Sequence, residues 1–528
     1  MQTDYDTIVI GSGVGGLTAA LCLARSGQRV LVLEQHYLPG GWCHSFSLEG
    51  FQFSPGIHYL GALKPGGKLH DIYKNLGIAE NITFLEINPN GYDHVCIGNQ
   101  RFDIPKGREI YIQRLQQRFP QEAQNIKKYF TIVARTLKGL SKKHTVKDLY
   151  CLLRHGFGSV ERLLDYCKIK APLLRGILTI QAGNHAMSPS EASVVSHAGL
   201  ASHYFEGAYY PKGGGKSIIK AYIKALRQHN GKIKTRTAVE KILLKKRFSG
   251  WQAQGICTQD GTEITAKNVI SNADPHMTFH KLIGQQYLSR KLKKQLQKTV
   301  YSTSCISLFL AIDMDVIAAG LDSGNYLYAD TTSDIEATYQ HAAYGKTLPK
   351  EITHFFLTVT TLKDPSKRKD GIHTMEMFSF VPHNSFEKWH NSDPQSRPQE
   401  YLAVKQQISQ QMKRALEKLI PGISEKIVFE SIGTPLTNNH YIPATNYNVY
   451  GVKKTVRQIG PFAYSAATEI NNLYTCGASN VYHGIMGATI SGIVAACGVS
   501  NCGIHDILTQ TQHDFYDDGP RLLRNLIN

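Results

Sequence analysis

Acidic side chains are scarce in this sequence. Its 528 residues carry 41 Asp and Glu against 59 Lys and Arg, a net charge of +18. Such an excess points to an anionic partner: a membrane surface, a nucleic acid or an acidic ligand. Long apolar runs are missing as well. The most apolar late stretch, MGATISGIVAACGV at 486–499, is interrupted by glycines and too short to cross a bilayer. The opening residues, MQTDYDTIVIGSG, show neither the basic nor the apolar region of a secretory signal, so a cytoplasmic chain is expected. The ten cysteines form no Cys-x-x-Cys pair, which excludes the usual zinc-ribbon and dithiol spacings and argues against a disulfide scaffold. No metal site is expected.

What the sequence does hold is concentrated at its start. Thr7 to Ile10 are β-branched and apolar, as in a buried parallel strand. Gly11-Ser12-Gly13-Val14-Gly15-Gly16 follows, then a helical stretch from Leu17 to Arg25 that Gly27 can cap, then a second strand, QRVLVLE, ending in Glu34. The order strand, glycines, helix, strand, acid fits one task. Gly11 permits a tight turn, Gly13 lets backbone approach a pyrophosphate, and Gly16 lets helix and strand pack closely. The helix start offers free N–H groups to phosphate. Glu34 stands where a carboxylate binds a ribose hydroxyl, which favours NAD or FAD over NADP. A second glycine pair, Gly40-Gly41, brings more backbone to the same ligand and favours FAD, a ligand held along its length.

The same kind of pattern returns twice. Residues 205–280 hold a Gly-rich turn, an amphipathic helix and a series of short strands. Gly215-Lys216-Ser217 there suggests a P-loop, but Tyr210 occupies the position of its first glycine, so that reading is rejected. Residues 431–505 hold a strand at Leu473 to Cys476, a glycine-rich turn and a helix over Ala488 to Ala496, with Gly484 and Gly487 letting the helix start close to a ligand. The expected cofactor domain is therefore discontinuous: 1–70, 205–280 and 431–505. Residues 71–204 and 281–430 are assigned to a substrate domain, and 506–528 to a C-terminal tail. Within the substrate domain, residues 127–176 carry 12 Lys and Arg against 3 Asp and Glu, interleaved with apolar groups. That composition suits either a membrane surface or a solvated helix over a core. Nucleic acid is the weaker alternative, since no recognition fold accompanies the patch.

With VIGSGVGGLTAA, VLVLEQHYLPGGWCHSF, FSPGIHYLG, GAYYPKGGGKSI, GTPLTNNHYI and GASNVYHGIMGATISG in place, the chain resembles the phytoene desaturase-like FAD oxidoreductases over most of its length, and within them the retinol saturase branch. The resemblance implies an α/β fold: a glutathione-reductase-like Rossmann FAD domain interleaved with an α+β substrate domain. It implies FAD as cofactor and an apolar polyene or isoprenoid as substrate. Gly11, Gly13, Gly15, Gly16, Glu34, Gly40 and Gly41 would hold the ADP half, and Val239 would face the adenine. Gly477, Ala478, His483, Gly484, Met486 and Gly487 would lie along the ribityl chain and the flavin ring. Carotenoid desaturases usually place a basic residue after the glycine pair, where this chain has Trp42.

A saturase must deliver a hydride to one alkene carbon and a proton to its neighbour. Candidate proton donors are His44 and His58, with Tyr59 and His483 behind them; a histidine has the right acidity. Each of these histidines can equally be structural. Cys43 lacks a resolving partner and reads as packing. Isomerisation or desaturation of a carotenoid at the same flavin is the alternative reaction. A prenyl-lipid carrier on the same fold is a third reading, opposed by the intact glycine motif. No second dinucleotide fingerprint is present, so the electron donor is left open.

Overall fold

The computed structural model describes residues 3–141 and 143–509. The expected tail lies outside them from residue 510 on. Its first residues do not trail: they end the helix Ile504–Thr509, whose Ile507 and Leu508 are buried.

Strand Tyr5–Ile10 sits mid-sheet, where β-branched side chains are covered on both faces. Ile8 pairs with Leu31 of Val30–Leu33 on one side and with Val269 of Glu263–Ser271 on the other, all parallel. Lys232–Lys234 and Leu473–Thr475 extend the parallel sheet at its two ends. The strand Glu263–Ser271 serves two neighbourhoods. Its far half runs antiparallel to Gly250–Thr258, which pairs with Val239–Arg247. Three separated stretches of chain thus build one seven-stranded sheet.

The first helix spans Val14–Arg25, starting three residues before the expected Leu17. It ends as predicted: Gly27 takes φ +84° and Gln28 N–H reaches the Leu23 carbonyl at 3.1 Å. Helix Gly484–Ser500, four residues longer at each end than expected, crosses it. Gly492 lies over the carbonyl of Gly15 with no space for a side chain, which explains the small-residue faces of both helices.

The second sheet also has seven strands: Ile427–Gly433, Ser304–Ile312, His373–Val381, His354–Val359, Asn325–Ala329, Asp93–Ile97 and Gln100–Ile104, in that spatial order. It is antiparallel except where Asn325–Ala329 meets Asp93–Ile97. Its edge strand runs across the expected 430/431 boundary. Tyr209–Pro211, expected in the cofactor domain, pairs with Phe84–Glu86 of the other segment, so the two parts are stitched together there. The helices between 108 and 204 cover one face and contribute to a core with Ile97, Leu327 and Phe380.

The basic stretch forms an exposed corner. Thr145 and Asp148 make a capping box for helix Val146–Cys151. Val146 is 85% and Leu153 66% exposed, and Leu140, Leu149, Tyr150 and Phe157 are exposed beside them. No helix among the described residues is long and apolar enough to cross a membrane. His276 and His280 have a His-x-x-x-His spacing and stack at 4.5 Å between ring centroids. Even so, no group of three metal-binding side chains occurs among the described residues.

Candidate active site

The glycines of the first motif gather around one side chain, that of Asn272. A Cβ on Gly13 would lie 2.7 Å from Asn272 Nδ2. One on Gly15 would lie 2.7 Å from Asn272 Oδ1 and 3.0 Å from the Cα of Gly477. Gly11, Gly16 and Gly477 border the same amide. The first and last glycine turns, over 460 residues apart in sequence, therefore share one wall. Asn272, just past a strand end in ISNADP, carried no signal in the sequence.

Glu34 closes the other side. Its carboxylate accepts from Ser12 N–H at 3.0 Å, from the Ser12 hydroxyl at 2.5 Å and from His36 N–H at 2.9 Å. The Ser12 hydroxyl in turn accepts from Gly40 N–H at 3.0 Å. Gly40 and Gly41 both take positive φ, +119° and +56°, and a Cβ on Gly41 would stand 3.6 Å from Gly13 Cα. The glycine pair thus brings a second backbone segment against the first. Thr237 N–H donates to the Glu34 carbonyl, which sets Val239 two residues from this crossing.

The proton-donor candidates divide into two places. His44 lines a cavity of about 230 Å³ with Trp42, Phe46, Phe309, Ile432 and Tyr441. Its Nδ1 lies 2.7 Å from the Gly41 carbonyl, so Nδ1 carries the proton and Nε2 is left as an acceptor. Burial pushes its acidity towards the neutral ring. As a neutral ring His44 can take a proton at Nε2 and has none there to give.

His58, Tyr59 and His483 belong to one buried network that does not include His44. Tyr59 donates to Asp93 at 3.0 Å and accepts from Asn184 Nδ2 at 2.8 Å; the Asn184 carbonyl is 2.8 Å from His483 Nε2. Asp93 also accepts from Gln181 at 2.7 Å and from Asn325 at 2.9 Å. Lys363 Nζ donates to the His58 carbonyl at 2.6 Å and to Asn325 Oδ1. Burial drives the Lys363 ammonium down to about 7, although Asp93 and Glu376 oppose the shift. Burial, with the nearby Lys454, drives His483 down to about 3, and it sits before the helix Gly484–Ser500 as a structural link. Gly484 and Met486 occupy the first turn of that helix. Gly487 packs on the backbone of Tyr482, and Ala478 borders Gly451.

The profile of flavin containing amine oxidoreductases matches residues 14–500. The chain belongs to that family. An all-trans-retinol 13,14-reductase of Rattus norvegicus is 30% identical over 94% of this chain and 85% of its own length. A chloroplastic prolycopene isomerase of an Oncidium hybrid cultivar is 27% identical over 93% and 83%. Among solved structures, an oxidoreductase from Methanosarcina mazei superposes with a TM-score of 0.64 at 19% identity, covering 92% of this chain and 99% of that one. The protein is thus an FAD-dependent oxidoreductase on a Rossmann-like cofactor domain with a substrate domain.

The residues present fit that cofactor. Gly13, the residue before the first helix, supplies no side-chain cap, so the first-turn N–H groups are open to a pyrophosphate. Gly13 and Gly41 face each other without Cβ atoms, and Asn272 Nδ2 has no hydrogen-bond partner among the described residues. The positive end of helix Gly484–Ser500 suits negative charge on a reduced flavin.

Proposed function

We propose that this flavoenzyme reduces a double bond of a long apolar polyene, with all-trans-retinol as the leading substrate. The observation that carries the reading is the likeness to a retinol reductase across nearly the whole chain, set beside a buried, aromatic-walled polar network next to the cofactor cradle. Bound FAD supplies the hydride. The chain's own part is to hold the cofactor through the two glycine turns, to exclude water with Phe356, Phe378 and Tyr204, and to furnish a proton. His58 is the proposed donor, since its Nε2 is unbonded and accessible, whereas His44 offers an acceptor.

The test is anaerobic. The bound flavin is reduced, all-trans-retinol is added, and flavin absorbance and product mass are followed together. Reoxidation with a product heavier by two hydrogens is expected. A product of unchanged mass with altered retention would mean isomerisation, the activity named for the prolycopene isomerases. An unreacted polyene would exclude retinol.

The proposed route for so insoluble a substrate is a membrane surface. Leu140, Val146, Leu149, Tyr150, Leu153 and Phe157 are exposed among Lys138, Lys143, Lys147 and Arg154, a combination suited to insertion below anionic headgroups. The protein should co-sediment with vesicles containing anionic lipid. Val146→Asp with Leu153→Asp should abolish this while leaving flavin content intact. Equal binding by the double variant would remove this surface from the account.

A further inference from the structure

Two buried polar atoms lie close together, and neither has a hydrogen-bond partner: Nδ1 of His58 and Oε2 of Glu376 are 3.5 Å apart. Leaving a buried donor or acceptor unsatisfied is costly, so two such orphans this close to one another call for a proton held between them. The other carboxyl oxygen, Oε1, accepts from Ser54 N–H at 2.6 Å. The other imidazole nitrogen, Nε2, has no partner and is not among the buried atoms; the side chain keeps 14% of its surface. The ring packs beside the stacked pair Phe356 and Phe378, with centroids 4.9 and 5.3 Å away. His58 therefore presents Glu376 on one edge and an unpartnered, partly exposed Nε2 on the other.

The segment is fixed on all sides. Gly56 is pressed against Trp42, which follows the Gly40-Gly41 turn on the cofactor cradle. Lys363 ties down the His58 carbonyl. The charged and titratable groups around the pair are Lys363, Lys367, Asp93, Asp364, Tyr59 and Tyr210. Lys367 is occupied by the Tyr210 hydroxyl at 3.1 Å.

We propose that Glu376 is a carboxylic acid in the resting enzyme, hydrogen-bonded through Oε2–H to His58 Nδ1, and that the pair relays a proton from His58 Nε2 to the substrate. This rests on the polyene-reduction reading above. In the relay the Nε2–H bond breaks as a C–H bond forms with an electron pair of the alkene. Nδ1 takes the Oε2 proton in the same event. The imidazole ends neutral in its other tautomer, and Glu376 ends as a carboxylate beside Lys363 and Lys367. A solvent proton arriving at Nε2, with the Nδ1 proton passing back to Oε2, then restores both groups. No oxidation state changes within the pair; the hydride is the reducing equivalent of the flavin reaction. Burial favours this neutral pair in both partners: it raises the Glu376 carboxyl and lowers His58 to about 3, so an imidazolium is avoided. Glu376 is a positioning and proton-supplying residue; His58 is the group that meets the substrate.

The decisive variant is Glu376→Gln. Its amide can still donate to Nδ1 and hold the ring, but it has no proton to pass on. In the flavin-loaded enzyme, the infrared difference between wild type and Glu376→Gln at neutral pH should contain a protonated-carboxyl band. Flavin content and KM should be retained, and kcat should fall about 10²–10³-fold, the range for loss of general acid catalysis. A band at the ionised-carboxylate position, or a kcat within about twofold of wild type, would overturn the relay. If Glu376→Gln fails to fold, the same band is read in wild type against His58→Phe, where it must shift. A wild-type enzyme that turns over no polyene would sink the substrate reading alone, while the infrared band still decides the state of Glu376.

Discussion

A flavin-free protein is the expected product of Gly13→Val. The valine Cβ would come within 2.7 Å of Asn272 Nδ2, and Gly41 faces the same residue from across the cradle. The two branches of valine must therefore enter either the Asn272 contact or the space where phosphate meets the helix start. Overpacking of this kind costs about 1–3 kcal/mol before any phosphate contact is lost. Loss of those contacts adds to it, so flavin affinity should fall by at least about 10–100-fold. Flavin absorbance per protein in the purified variant measures this, with circular dichroism to show that the sheet is intact. Gly13→Ala should give an intermediate loss. Normal flavin content in the valine variant would mean that the cofactor does not touch this turn.

Acid unfolding above pH 4 is the second large effect. Burial lowers His197, His203 and His354 from 6.5 to about 4, and His58 and His483 to about 3. These rings are buried neutral, while the unfolded chain protonates them near 6.5. Their folded-state values are depressed, so their contribution is complete above pH 6.5 and is lost as pH falls towards 4 and 3. The loss reaches about 3 kcal/mol for each ring by pH 4, and five of them exceed the net stability of an ordinary domain. Asp93 and Glu376, whose carboxyls are raised by burial, and His94, raised against its burial by Asp103 and Asp322, act in the opposite direction but are fewer. Calorimetry between pH 8 and 4 should show the melting temperature fall steeply below pH 6.5. His354 is the useful control. Both its nitrogens are buried without partners, and its ring packs edge-on against Tyr339 at 5.2 Å. His354→Leu should flatten the acid limb and raise stability at pH 5. A melting temperature independent of pH over this range would show that the rings take up protons in the folded protein as they do in the unfolded chain.

The cofactor half was readable because its chemistry is local. Strand, glycines, helix and Glu34 follow one another, and each imposes a backbone requirement on its own neighbourhood. Even the Gly40-Gly41 pair could be assigned, since two bare positions next to a nucleotide motif have few other uses. The structure adds what they touch. The buried network around His58 was only half readable. His58 and Tyr59 stood out in GIHYLG, but their partners come from distant strands and from a short helix. Glu376 left one trace, a lone acid in the otherwise apolar run HTMEMFSFV. Asp93 sits likewise at the start of a fully buried strand. A single charged residue in a core strand signals a buried partner, and the partner's identity depends on sheet order that a linear sequence does not contain. Lys363 and Asn325 meet only because Asn325–Ala329 pairs with His354–Val359, the strand that runs into the short helix ending at Lys363. Helix and tail boundaries were missed for a simpler reason. The glycine-rich turn runs straight into the helix at Gly484, and Gly487 packs on the backbone of Tyr482 just before it.

The parallel sheet takes strands from residues 5–33, 232–271 and 473–475, and its first helix is covered by the helix Gly484–Ser500. On a ribosome, the nucleotide-binding turn is made first and completed last. Helix Val14–Arg25 leaves the exit tunnel with its apolar faces bare and waits for more than 450 residues of synthesis before its cover exists. Contacts of such separation form slowly and leave collapsed intermediates open to aggregation. Nascent chains stalled before residue 473 should therefore hold no flavin and should depend on chaperones for solubility. On this account the cofactor is captured only after residues 473–500 have been released, so flavin loading would report that synthesis had passed them.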